Sequence, residues 1–513
     1  MNHTFEAEKN LRLIEAAKKF PLIILWSIAA GSAGLLFGYD TVVNGASISM
    51  PAFELYFGAV TSTGKLYLPS NWTALWTSMS ALLQCIGSFG AGPISDRIGR
   101  RYSVIGASFI SASGIALQYA ADSRGMLLAG KMVNGLAIGI VLATATAWAS
   151  EISPIRLRGP VQSGIVLLTV LMQAFSLLAI RQNVTNIEPH AFRLVFAIQW
   201  AFCSLTGLLF FFVPESPVWL VLSGREDQAK ISMRRLYGRG EVHEERLVYL
   251  QRQIHEEAAA EHANGIGGFL ELYKGSVLKR TLTVHLLFFG IGLAGSSFLA
   301  QSIYFLILAG LPAVHTFDVS IGGFILALFT IVASWIYLER VGRRSLWLIG
   351  VTVNMVVMVI IGALYYAKGK GPLWAVAILM NVLIPWEQTT LTSVAFVIAA
   401  EIAPYRLRAK NQSLAVLSNA FTTWLFNFTV PYMYNVDSGD LGARTGFVFA
   451  AGSLLLLIAS YPLVPDLRGF STIEIDWLYE QKLPVRKFQE YMDGRAARGA
   501  IEAGLEPGKE QAI

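Results

Sequence analysis

Apolar runs long enough to cross a bilayer alternate with short charged stretches over most of this chain. A spanning helix needs about 20 predominantly apolar residues. By that measure spans are predicted near 22–47, 72–95, 102–120, 125–149, 160–180, 192–213, 281–310, 318–338, 345–366, 372–400, 411–434 and 443–464. The pattern predicts an all-α membrane protein of twelve transmembrane helices. It divides into a terminus over 1–21, a six-helix bundle over 22–213, a helical linker over 214–280, a second six-helix bundle over 281–464 and a tail over 465–513. The linker is the one substantial polar insert, rich in Arg and Glu at helical spacing over 224–275, with Gly breaks at Gly238 and Gly240. Beyond Phe470 the tail is polar, and its last part reads as disordered.

The charged stretches repeat. EISPIRLR, opening at Glu151, returns as EIAPYRLR, opening at Glu401, 250 residues later. DRIGRR from Asp96 answers ERVGRR from Glu339 at an offset of 243, and Val213-Pro214-Glu215 answers Val464-Pro465-Asp466 at 251. Each follows a long apolar run, so the chain reads as two parallel repeats of six spans.

Composition narrows the reading. Of 513 residues 54% are apolar and only 14% charged, which excludes a soluble multidomain protein of this size. The N-terminus carries Lys9, Arg12, Lys18 and Lys19 ahead of a run with no small-residue cleavage site, so it is expected to stay attached. Cys85 and Cys203 both fall inside apolar runs, which leaves neither a disulfide framework nor a metal site. The net charge of +6 comes largely from arginines at span ends, without the aromatic-interleaved basic stretches of a nucleic-acid partner. No HExxH is present, and the nearest P-loop lookalike, Gly58 to Leu66, has the wrong spacing. Neither an enzyme nor an ATP-driven pump is indicated, and no cofactor.

Orientation follows from the loops. With both termini cytosolic, the inner loops hold Arg97, Arg100, Arg101, Arg156, Arg158, Arg340, Arg343, Arg344, Arg406, Arg408 and Lys410. The outer loops hold Lys65, Arg124, Arg181, Arg193, Lys368, Lys370 and Arg444, so eleven against seven favours this topology. The acceptor sequons at Asn71 and Asn183 then face outward as candidate glycosylation sites.

These motifs resemble those of the sugar porter family of the major facilitator superfamily over nearly the whole chain. The carrying residues are GLLFGYD from Gly34 to Asp40, DRIGRR, EISPIRLR, PESPVWL from Pro214, ERVGRR and EIAPYRLR. Within the family, RTLTVHLLFFGIGLAGSSFLAQSIYF from Arg280 to Phe305 is most similar to the fungal maltose or α-glucoside permease branch. The resemblance implies the major facilitator fold in a plasma membrane, with alternating access. It also implies a sugar or glycoside as the small-molecule substrate and protons as the coupled ion.

Glu151 and Glu401 close spans four and ten beside arginine clusters, where carboxylates and guanidiniums can form bidentate pairs on one face only. A cytosolic gate is thus expected from Arg97, Arg101, Glu151, Arg158, Glu215, Arg340, Arg343, Arg344, Glu401 and Arg408. The other reading is that these charges mark helix ends and set topology.

Two charges lie inside the first bundle. Asp40 is about 27 Å from the cytosolic start of span one, and Lys131 roughly 10 Å below the outer end of span four, at about 1.5 Å per residue. They can share a depth and pair, and a carboxylate alternating between a lysine and a proton is a minimal coupling device. A fixed structural ion pair is the alternative. Gln199 stands where some members of the family carry a carboxylate.

Glu387 lies about 21 Å from the cytosolic end of span ten, where the family has an aromatic lining the sugar cavity. It either meets the substrate or faces a watery cleft. Gln173, Ser297, Gln301, Trp386 and Asn419 are polar or amphipathic residues near the mid-membrane depth where two parallel repeats meet, and with Glu387 they are expected to line the central site. Departures are Val166, Ile291 and Gly292 at positions where polar groups are usual, Thr392-Ser393 for Gly-Pro, and Phe396 for Trp. They weaken hexose recognition by amides and keep open a larger glycoside, a polyol, an acid or a less polar metabolite. Three functions stand: a proton-coupled sugar carrier, a same-fold carrier or exporter of a non-sugar metabolite, and, ranked last, a nutrient sensor without transport.

Overall fold

The computed structural model describes residues 13–60, 66–238, 244, 246–252, 269–303, 306, 313–367, 370–404, 407–434, 439, 441–468, 470, 472–481, 483–492 and 494. Its long helices are α1 (Pro21–Ala46), α2 (Ser70–Ile98), α3 (Arg100–Tyr119), α4 (Arg124–Ile152), α5 (Ile155–Asn183) and α6 (Pro189–Phe212). After the polar insert come α7 (Val277–Ala294), α8 (Ala313–Arg340), α9 (Arg343–Leu364), α10 (Gly371–Ile402), α11 (Arg408–Tyr434) and α12 (Thr445–Leu463). A two-stranded antiparallel pair, Ala59–Val60 with Leu66–Tyr67, is the sheet among the described residues.

Local chemistry sets the ends. Proline opens α1 within its first turn, and Ser123 caps α4 by accepting from the Met126 N–H at 3.2 Å. A single glycine turns the chain between α2 and α3, and another between α8 and α9: Gly99 at φ +93° and Gly342 at φ +88°, a region side chains resist. Pro154 separates α4 from α5.

Among the described residues nine helices are long and apolar enough to cross a membrane. The other three, α2, α3 and α11, are as long but richer in Ser, Thr, Gly and Asn. Their small residues serve close packing. A Cβ on Gly135 or Gly139 of α4 would meet the Ser80 or Gln84 carbonyl oxygen of α2 at 2.3 Å, so these backbones touch.

The span expected over 281–310 is not one run. α7 stops at Gly295, φ +114°, and resumes as a short helix, Ser296–Ala300. α10 is also irregular: Pro385 lies inside it, and Gln388–Thr392 is π-helical. The Thr389, Thr390 and Ser393 hydroxyls bond the Pro385, Trp386 and Gln388 carbonyls, which satisfies backbone groups that the irregular winding loosens.

The linker contributes Glu226–Tyr237, ended by Gly238 at φ +85°, and Phe269–Tyr273. Gly240 and 253–268 lie outside the described residues, as does the tail segment 495–513 expected to be disordered. A helix the sequence reading did not anticipate, Thr472–Glu480, packs Ile475, Leu478 and Tyr479 inward. Arg280 meets its Asp476 and lies 4.7 Å over the Tyr479 ring.

Candidate functional site

At the arginine-rich end two equivalent clusters form. Arg100, at the first position of α3, is 1% exposed and grips Glu151 of α4 through Nε at 3.2 Å and Nη2 at 2.9 Å. Ser216 also donates to Glu151. In the second half Arg343, at the same position of α9, donates to Glu401 of α10 at 2.8 Å. Both pairs are buried, so removing one partner would strand a charge.

The expected gate is thereby narrowed. Arg100, not Arg97 or Arg101, is the partner of Glu151: Arg97 is exposed, and Arg101 donates to the Phe211 carbonyl and stacks 5.4 Å over its ring. Arg340 is exposed, and Arg344 donates to the Tyr461 carbonyl at 2.6 Å. Glu215 accepts from backbone N–H groups, Arg100 at 3.0 Å and Arg101 at 3.1 Å, and so caps α3 rather than binding a guanidinium. Burial pushes its carboxyl above the ordinary range, against the pull of those donors and of the Ser216 N–H. Asp466 repeats the contact to the Arg343 N–H at 3.4 Å.

Two buried arginines lie where the halves meet. Arg408 of α11 donates through Nη1 to the Ser150 carbonyl of α4 at 3.4 Å, and through Nη2 to Thr472 at 3.4 Å. Arg158 of α5, 3% exposed, precedes Gly159, where an added Cβ would lie 3.8 Å from Arg343 Nη2 and from Val397 Cγ1 of the second half. EISPIRLR and EIAPYRLR thus each supply a glutamate to their own cluster and an arginine beside the other half.

Inside the first bundle Asp40 and Lys131 are fully buried, yet their contact is indirect. Asp40 accepts from Asn44 Nδ2 at 2.6 Å and Asn134 Nδ2 at 2.8 Å, while Lys131 Nζ donates to the Asn44 carbonyl at 3.2 Å. Asn134 extends the cluster to Gln199 Oε1 at 3.0 Å and accepts from Ser111 Oγ at 2.6 Å. Asn44 and Asn134 were missed in the sequence. The available signal was helical spacing, four residues after Asp40 and three after Lys131.

The predicted central residues divide. Ser297 is buried in the turn after the α7 break, and Gln301 Nε2 reaches Asn427 Oδ1 at 3.5 Å. Gln173 and Glu387 are buried, each with one oxygen lacking a hydrogen-bond partner. Asn419 is half-buried. Trp386 donates its indole N–H to the Gly350 carbonyl of α9 at 3.0 Å, a contact within the second half. Gly292 permits contact with α11, where an added Cβ would lie 2.1 Å from Thr422 Cγ2. The end opposite the arginines carries Asn71, exposed in the first turn of α2, and Asn183, whose amide donates to the Ala179 carbonyl at 2.8 Å.

A bundle of long apolar helices with buried ion pairs at one end and an acid, amide and lysine cluster inside it defines a multi-pass membrane carrier. The family model described as "Sugar (and other) transporter" matches residues 26–479, and the chain belongs to that family of transporters, within the major facilitator superfamily. It is 42% identical over 485 residues to the MFS transporter fmqE of Aspergillus fumigatus, covering 94% of this chain and 90% of that one. It is 28% identical to the general alpha-glucoside permease of Saccharomyces cerevisiae, covering 95% and 80%. The solved structure of the proton:xylose symporter XylE bound to 6-bromo-6-deoxy-D-glucose superposes with a TM-score of 0.76 at 19% identity, over 90% of this chain and 99% of that one.

Proposed function

We propose that this chain is a secondary active carrier that moves a sugar or glycoside by alternating access, coupled to protons at Asp40. The observation that carries this reading is the pair of arginine–glutamate clusters at one end, with Arg408 reaching across between the halves. The contact that crosses between the halves, Arg408 to the Ser150 carbonyl, exists only while that end is closed, so the two halves can rock about a central site. The duplicated Gly99–Arg100–Glu151–Glu215 and Gly342–Arg343–Glu401–Asp466 arrangements support two parallel six-helix repeats, 22–213 and 281–464, and hence twelve spans. With the arginine-rich face cytosolic, the termini and the 214–280 linker lie inside, and Asn71 and Asn183 lie outside as glycosylation candidates at the plasma membrane. In the coupling cluster Asp40 exchanges a proton, while Asn44 bridges it to Lys131, its side-chain amide donating to Asp40 and its backbone carbonyl accepting from Lys131. Gln173, Ser297, Gln301, Glu387 and Asn419 address the substrate, while Trp386 supports them from behind.

A second reading, a non-sugar metabolite as cargo, is favoured by one observation: Gly292 is packed against Thr422, and its neighbour Ile291 is buried and apolar, where amides would meet hydroxyls. Reconstitution tests both. Uptake of disaccharides, hexoses and non-sugar metabolites is measured in proteoliposomes with and without an imposed proton gradient. Gradient-driven accumulation of a glycoside is the expected result. Accumulation of a non-sugar alone would favour the second reading, and no response to the gradient would remove proton coupling.

A further inference from the structure

Three buried polar atoms without hydrogen-bond partners sit at one level of the bundle: Gln173 Oε1 on α5, Glu387 Oε1 on α10 and Trp424 Nε1 on α11. Arg158, Glu401 and Arg408 lie together at the arginine-rich end. Counting from them at about 1.5 Å per residue gives depths of about 22, 21 and 24 Å.

Packing among the helices constrains where these positions face. On α10, Trp386 and Thr390 address Gly350 of α9, and Thr389 donates to Thr330 of α8 at 3.0 Å. Glu387, about 100° on from Trp386, is therefore turned away from α8. The turn Ser296–Ala300, which follows the break at Gly295 and holds buried Ser297, packs on both α10 and α11. From the first half, α5 packs on α8 and on the last part of α10. The π-helical stretch begins directly after Glu387, a winding that recurs where a helix serves a site.

The unmet chemistry is specific. Two of the three groups, Glu387 and Gln173, are acceptors contributed by different halves. No cation pairs with Glu387 among the described residues, and a buried carboxylate without a partner is costly. An ammonium supplies both the charge and several donors, whereas a hydroxyl has a single donor to share. Trp424 adds one donor, which calls for an oxygen on the same ligand.

We propose that this site takes a solute bearing a protonated amine, whose nitrogen is received by Glu387 and Gln173 and whose oxygen meets Trp424. The proposal rests on the carrier reading above and names the substrate class of its central site. Two sources of the chemistry, an amino sugar and a non-sugar amine, are separated by the test. The full chain is purified in nanodiscs, and binding of glucosamine, N-acetylglucosamine, glucose and tryptamine is measured by calorimetry.

Binding of glucosamine or tryptamine well above N-acetylglucosamine and glucose is expected, and which of the two amines prevails identifies the source. Glu387→Gln should weaken amine binding about tenfold or more, the scale of one charged hydrogen bond. Glu387→Asp should recover part of it. Gln173→Leu, a change in the opposite half, should weaken the same ligands and guards against misfolding of the Glu387 variants. Neutral sugars binding as well as the amines, with Glu387→Gln without effect, would overturn the amine proposal and leave sugar transport standing. Binding of none of the four would overturn the proposal and count against the sugar reading as well.

Discussion

Arg408→Gln isolates the contact that joins the two halves. The wild-type guanidinium spends one donor on the Ser150 carbonyl of α4, and others on Ala403 and Thr472 of its own half. The contacts within its half persist whether the arginine-rich end is open or closed, so their loss cancels in the ratio of the two states. Of these three contacts, the one to Ser150 is tied to closure. A hydrogen bond from a charged donor contributes roughly 1.5–3 kcal/mol, and its length of 3.4 Å puts this one at the low end. About 1.4 kcal/mol is a factor of ten in an equilibrium, so the open population should rise about tenfold. The assay is labelling of Gln412→Cys by an impermeant maleimide, in a background carrying Cys85→Ser and Cys203→Ser. Gln412 is 0% exposed on α11 beside this end, so its labelling rate reports opening. An Arg408→Gln protein that inserts normally and labels at the wild-type rate would refute the latch and leave Arg408 as a marker of topology.

Asp40→Asn should abolish gradient-driven accumulation while exchange persists, because an amide keeps the shape and cannot take up a proton; retained accumulation would make Asp40 structural. Gly99→Ala forces a side chain into φ +93° and toward Glu215 Oε2, 2.4 Å from the new Cβ. A loss of about 1–2 kcal/mol for the left-handed backbone, with further loss from the displaced cap, should appear as a lowered Tm in detergent, and an unchanged Tm would contradict the geometry. Trp386→Phe removes a bond to Gly350 and should cost about 1 kcal/mol of stability without reordering the substrate panel; a changed ranking would return Trp386 to the site.

The duplicated octapeptides carried both cluster glutamates, Glu151 and Glu401, because a glutamate and an arginine seven residues apart are needed twice by any symmetric closure. Arg100 escaped notice for a physical reason: DRIGRR offers three arginines, and only the turn at Gly99 decides which one starts α3 under Glu151. Asp40 and Lys131 were legible as charges in apolar runs, but the asparagines that separate them were not, since mid-helix asparagine also fits an ordinary packed polar position. The contact of Trp386 with α9 was not legible because depth alone does not give helix phase, and Thr389 and Thr390 supply that phase only once α8 and α9 are in place. Helix Thr472–Glu480 lies in a polar stretch whose apolar face, Ile475, Leu478 and Tyr479, is too short to stand out from a tail.

The three helices with the weakest claim on lipid also make close or polar contacts with their neighbours. α2 lies on α4 at Gly135 and Gly139, α3 lies on α4 at Gly114, and α11 leans on α2 through Asn427 to the Thr77 carbonyl at 3.5 Å. On the twelve-span proposal, α2 and α3 would enter the bilayer before the helix that shields their hydroxyls exists, and would depend on α4 to be retained. On that proposal the order of dependence runs from α4 to α2 to α11, and the second half of the carrier would mature on a surface furnished by the first. A Gly139→Leu chain should accordingly show protease-sensitive α11 as well as α2, although residue 139 is far from either terminus of the second half. Protection of α11 in that variant would mean that the halves assemble independently.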